Sequence, residues 1–230
     1  MSNSLHKKYL LQGFLLWVII LLLGSLTEAQ ATHIRAGDIT AKRDTTPNPN
    51  PRRFFFTMTI YRDTSSDVRD DVVNIDPGTG GALIEVPVAS IVDIGNQTER
   101  WLYTWEYTYP ADGTYTTSWI GVNRNPGILN ITPPTDLVTF YISTTININA
   151  LRGFNSTPVL TVAPIDVAAV GRVFVHNPGA YDADGDSLAF KLRVPQRQGG
   201  NGQITDVPGY SLPSLTFSCQ SSDASGASYL

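Results

Sequence analysis

The chain has 230 residues, a formal net charge of −4, 16% charged residues and a single cysteine. That balance argues against nucleic acid as a partner, because phosphate contacts need clustered Lys and Arg, and a lone Cys219 rules out an internal disulfide. Past the first thirty residues only His33, His176 and Cys219 offer nitrogen or sulfur ligands, so zinc is poorly supplied too.

Residues 1–31 have the plan of a secretory signal. Lys7 and Lys8 give a positive start, Phe14 to Leu23 is an unbroken apolar run, and Ala29-Gln30-Ala31 is a small-x-small cleavage pattern. Leu10 to Leu26 approaches the length of a membrane span, but Gln12 and Gly13 interrupt it, and a span needs about 20 predominantly apolar residues. Cleavage after Ala31 is the expectation, leaving no stable membrane span. Losing Lys7, Lys8 and Glu28 makes the mature chain one charge more negative. An exported chain of this size without disulfides fits a bacterial surface better than an animal extracellular space.

After Ala31 the periodicity is two, the mark of half-buried strands. In "RFFFTMTIYR", Phe54, Phe56, Met58 and Ile60 point one way, with Phe55, Thr57, Thr59 and Tyr61 opposite. In "WLYTWEYTY", Trp101, Tyr103, Trp105, Tyr107 and Tyr109 share a face, and Leu102, Thr104, Glu106 and Thr108 take the other. Such an aromatic row either fills a core or stacks on sugars; the alternation with Glu106 favours the core. "DPGTGG" at Asp76 lacks the Gly-Lys-Ser/Thr ending of a phosphate loop and is expected to be a flexible turn. Between "YTYP" and "TYTTSWIGV", Asp112-Gly113 supplies a turn, and Tyr115 resembles the tyrosine corner of immunoglobulin-like sandwiches. Thr117 occupies the position where antibody-type domains have cysteine, so the resemblance is to cysteine-free relatives such as PKD-type modules. In "LVTFYISTTINI", Val138, Phe140, Ile142, Ile146 and Ile148 align.

The fold expected is all-β: an immunoglobulin-like antiparallel sandwich over residues 32–153, then a partial cadherin-like or immunoglobulin-like domain over residues 154–230. In the second unit, strands are expected at Val159 to Val162, Gly171 to His176 and Ser187 to Val194. The stretch "RQGGNGQITDVPGYSLPS" has a loop composition. With fewer residues than a complete sandwich of roughly 100, this unit is expected to leave an unpaired sheet edge.

"DADGDSL" places Asp182, Asp184 and Asp186 just before an apolar segment. In an extended strand, alternate side chains lie about 6.7 Å apart, so neighbouring carboxylates can share a calcium while all three converge only around a bend, for which Gly185 is placed. The other reading is a solvated acidic turn. His33 beside Asp38, and His176 before the acidic stretch, are expected to serve strand-end and turn packing.

The acidic motif resembles that of bacterial cadherin-like repeats. That resemblance implies calcium, with Asp182 and Asp184 as ligands and Asp186 as a candidate; "GFNSTPV", in the linker position, carries no acidic residue. The order of features, with "ATHIRAGDITAKRD" and "RRFFFTMTIYRDTSSD" after a leader, resembles the opening of large secreted, gliding-motility-associated proteins of Bacteroidetes-type bacteria. His33, Gly37 to Thr40 and Tyr61 to Asp63 carry the match. It implies a non-enzymatic structural or adhesion module, secreted or on the outer surface, with a cell-surface protein or a polysaccharide as partner. The alternatives are a carbohydrate-binding module and an accessory region of a secreted hydrolase.

Overall fold

A computed structural model describes residues 17, 33–149, 151, 155–165, 167 and 175–212. Apart from Trp17, the expected leader lies outside the described residues, as do Gly171 to Phe174 and Cys219. One compact unit spans Ala31–Leu230.

The protein is all-β and sandwich-like. Seven main strands run in order: β1 (Ile34–Arg43), β2 (Arg53–Asp63), β3 (Val72–Ile75), β4 (Ile84–Asp93), β5 (Thr98–Thr108), β6 (Gly113–Gly121) and β7 (Phe140–Ile148). A 3-10 turn at Thr135–Leu137 precedes β7, and four short strands follow it: β8 (Val159–Leu160), β9 (Ala180–Tyr181), β10 (Gln196–Gln198) and β11 (Ile204–Asp206). The large sheet has the order β1-β2-β5-β4-β3, and β6 pairs with β7. All named ladders are antiparallel.

β4 explains how this sheet becomes two layers. Its second half, from Val88, pairs with β5; its first half, Ile84–Pro87, pairs with β3. The register slips between Val88 and Ser90, and Pro87 lacks an N–H for a second ladder. A bulge beside a proline is where a strand changes sheets. From β3 the layer continues to β6, because Asp76 and Ser118 exchange backbone hydrogen bonds of 3.0 and 2.9 Å. Neighbours β1, β2, β5, β4 on one side and β3, β6, β7 on the other reproduce the A-B-E-D and C-F-G arrangement of immunoglobulin sandwiches.

The alternation read in the sequence sets the inner faces. Phe54, Phe56, Met58 and Ile60 of β2 meet Trp101 and Tyr103 of β5, Trp119 of β6, and Phe140, Ile146 and Ile148 of β7 in one core. Trp105, Tyr107 and Tyr115 pack at its margin. Val138 departs from the expected row: it precedes β7 and joins Ile131 and Val207 in a second, smaller cluster.

Tyr115 behaves as a corner residue. β5 and β6 belong to different layers, so Asp112-Gly113 turns between sheets rather than within a hairpin. The Tyr115 hydroxyl donates to the Ala111 carbonyl at 3.1 Å, four residues upstream. Thr117, at the position of the antibody cysteine, is buried, and its hydroxyl lies 2.8 Å from that of Tyr109.

Past residue 154, two readings need correction. Ser187–Val194 forms no strand ladder, and the supposed loop "RQGGNGQITD", with Gln196 before it, forms the β10–β11 hairpin. That hairpin rests on the sandwich: Gln198 N donates to Thr139 Oγ1 at 2.8 Å, and Arg124 Nη2 donates to the Gln196 carbonyl at 2.9 Å. Ser156 and Thr157 lie along the free edge of β1, where Thr157 N donates to the Ala41 carbonyl at 2.8 Å and Ala41 N to Thr157 Oγ1 at 2.8 Å. An exposed edge is thereby covered.

Candidate functional site

The acidic turn is held together by its own backbone. Asp182 Oδ1 accepts from the amides of Asp184, at 2.9 Å, and Asp186, at 3.1 Å. This is an Asx-type closure, in which an aspartate side chain accepts from the amide two residues on; Gly185, three residues after Asp182, takes the left-handed conformation with φ +84°. The turn thereby aims Asp184 at the sandwich. Its Oδ1 accepts from Arg43 Nε at 2.7 Å and its Oδ2 from the Ser156 amide at 2.6 Å. Burial raises the Asp184 pKa, but the Ser156 amide and the Arg43 guanidinium outweigh it and hold the carboxyl below the usual carboxylate range.

This donor set does not fit calcium in the arrangement seen. A cation needs several oxygens facing one centre at about 2.3–2.6 Å. Here both Asp184 oxygens face hydrogen-bond donors, one of them already cationic, and Asp182 Oδ1 serves two amides. Among the described residues, no group of three or more His, Cys, Asp or Glu side chains is disposed to hold a metal ion. What Asp184 achieves is a tie among the acidic turn, the strip at Ser156 and the end of β1.

A second concentration of charge closes one end of the core. Arg62 follows Ile60 on the inward phase of β2 and is 2% exposed. Its guanidinium carbon lies 4.3 Å from the Trp101 ring centroid, and that of Arg69 lies 4.8 Å away. Arg62 donates to the Val68 carbonyl, and Tyr103 donates to the Asp70 carbonyl at 2.8 Å, so both fasten the 64–71 loop over the opening. Burial pulls the Arg62 pKa down and pushes that of Asp70 up; their opposite charges partly offset both effects. Trp101 Nε1 donates to Glu99 at 2.9 Å. A buried cation on an indole face, with a loop carbonyl and the Ser66 hydroxyl as acceptors, is a plug.

Two more ion pairs anchor loops. Asp44 is fully enclosed, accepting from the Thr46 and Asn50 amides and from Arg53 at 2.7 Å. Arg35 pairs with Asp63 and also donates to Asn96 O and Thr98 Oγ1, at 2.9 and 2.8 Å. The aromatic row expected from Trp101 to Tyr109 lies on the core face: Phe56 stacks on Trp105 at 5.1 Å, and Tyr109 meets Tyr107 edge-on at 4.8 Å. His33 terminates β1, its carbonyl accepting from Asp63 N at 3.0 Å.

Arg62 was accessible to sequence reasoning, because a charged residue in phase with Phe54, Phe56, Met58 and Ile60 must be buried. The Arg43–Asp184 tie, across 141 residues, carries no local signal. No protein-family model matches this chain, and neither the curated proteins nor the solved structures compared with it contain a match.

Proposed function

We propose that the chain is an exported structural module that acts by contact at a bacterial surface, of the kind found in gliding-motility-associated proteins. Its leader-like start and the short motifs around His33, Gly37 and Tyr61 support export and that kinship. The observation carrying the reading is how the charged residues are used. Arg35 with Asp63, Arg43 with Asp184, Arg53 with Asp44 and Arg62 over Trp101 all serve as internal fasteners of a β-sandwich. Charges placed this way hold a scaffold in shape.

The test is expression of the full gene with its native leader in a Gram-negative host, followed by fractionation and N-terminal sequencing. Export predicts a mature chain beginning at Thr32 outside the cytoplasm. Intact leader on cytosolic protein would overturn the proposal. A polysaccharide panel read by tryptophan fluorescence addresses the sugar-binding alternative. Trp101 is wholly buried, Trp119 is 5% exposed, and the half-buried Trp105 has its ring covered by Phe56 at 5.1 Å, so the expected result is no saturable quenching.

A further inference from the structure

From Ser187 to Val194 the chain runs without turn, bend or ladder, and all eight residues are exposed. None of their backbone amides or carbonyls has a hydrogen-bond partner among the described residues. The sequence nevertheless has strict strand alternation. Leu188, Phe190, Leu192 and Val194 fall on one side, and Phe190 is 67% exposed. Ser187, Ala189, Lys191 and Arg193 fall on the other. Neither Lys191 nor Arg193 forms an ion pair among the described residues. The segment is fixed at both ends: Asp186 N is bonded to Asp182, and the Pro195 carbonyl accepts from Val207 at 2.9 Å.

We propose that Ser187–Val194 is a docking strand that takes up an extended segment of another protein in which apolar and acidic side chains alternate. Eight residues give about 26 Å of backbone that is unpaired among the described residues, enough for a full ladder. Strand addition draws affinity from such main-chain bonds and specificity from alternate side chains. Lys191 and Arg193, about 6.7 Å apart on one face, match two carboxylates spaced two residues apart on an incoming strand. Two copies pairing parallel and in register would instead set these cations against each other, and a full antiparallel pairing would set Lys191 opposite Phe190 and Arg193 opposite Leu188, placing one copy's basic row beside the other's apolar row; both are unfavourable. The proposal rests on the chain working by contact and adds the chemistry of the partner.

The test uses the full chain and three labelled synthetic decapeptides: Val/Ile alternating with Asp/Glu, the same with Lys/Arg, and a scrambled acidic control. Anisotropy reads binding, and hydrogen exchange reads amide protection in 187–194. The expected result is saturable binding of the acidic alternating peptide alone, with protection confined to this segment. Lys191→Glu with Arg193→Glu should weaken that peptide about tenfold or more and admit the basic one. Both positions are exposed, and an unchanged circular dichroism spectrum confirms that the variant folds. Absence of protection, equal binding of all three peptides, or indifference to charge reversal overturns the proposal. So does protection in the free chain, which would mean that another part of this chain or a second copy already occupies the strand. Export is read by location and docking by protection, so failure of one is distinguishable from failure of the other.

Discussion

Gly78 and Gly80 both take positive φ, +78° and +72°, yet their surroundings differ. A Cβ on Gly78 would lie 2.3 Å from the Thr116 carbonyl oxygen, because the 76–81 loop presses against β6; Gly80 has nothing within 4 Å. The loop that composition marks as flexible is thus clamped at one point, where Tyr109 also donates to the Pro77 carbonyl at 3.2 Å. Gly78→Ala should cost about 2–4 kcal/mol, and Gly80→Ala about 1 kcal/mol, by chemical denaturation. Asp38 makes a second residue-level prediction. It sits on β1 opposite Thr59, and burial pushes its carboxyl up to about 6. A folded-state pKa above the unfolded value of about 3.9 means that its favourable contribution is complete below pH 4 and fades as pH rises to 6. Asp38→Asn should therefore gain up to about 3 kcal/mol on wild type between pH 4 and pH 7, with the two alike at pH 3. Asp44 has the opposite sign. The amides of Asn50 and Thr46, then Arg53, hold it well below the usual carboxylate range. Its stabilisation is present above pH 4 and declines as acid protonates it.

At the scale of elements, the short strip at Ser156–Thr157 and the end of β1 share Arg43, Asp184, one backbone–backbone bond and one bond from the Ala41 amide to the Thr157 hydroxyl. Arg43→Gln and Asp184→Asn should each lower the melting temperature, and the double variant should do little more than the worse single one. The coupling in that cycle should be about 0.5–1 kcal/mol, since Arg43 is partly solvated. Calcium and EDTA samples of wild type should melt alike. A rise with millimolar calcium that Asp182→Asn and Asp184→Asn abolish would restore the reading of the acidic turn as a cation site. Elements also show what a sequence discloses. β2 and β5 are legible because their partners lie on both sides and one face of each turns to the core along its length, with only Trp105 and Tyr107 of β5 half-buried at the margin. β4 is not, because the slip at Val88–Ser90 reverses the phase of its apolar residues midway. β10 and β11 are three residues each, with no apolar alternation, and they hold through Thr139 and Arg124, far away in the chain. Ser187–Val194 has the opposite history: a flawless strand pattern that finds no ladder within the described residues.

For the molecule as a whole, the ties that cross from 155–212 to the sandwich decide whether the two regions melt together. Val207 completes the small cluster with Ile131 and Val138, Thr157 covers β1, and Gln198 meets Thr139. A chain ended at Asn149 should melt about 5 °C or more below the full chain, because it loses an apolar contact worth about 2 kcal/mol and bares an edge. An unchanged melting temperature would mean that the regions are energetically separate, as a boundary near residue 154 requires.

β4 has a mechanical corollary. In a sandwich whose layers touch only through side chains, a pull along one layer lets it slip over the other. Here a single continuous backbone is stitched into both, turning at Pro87, so such a pull loads covalent bonds and two ladders at once. Under tension applied across the layers, the fold would resist tearing best along that seam.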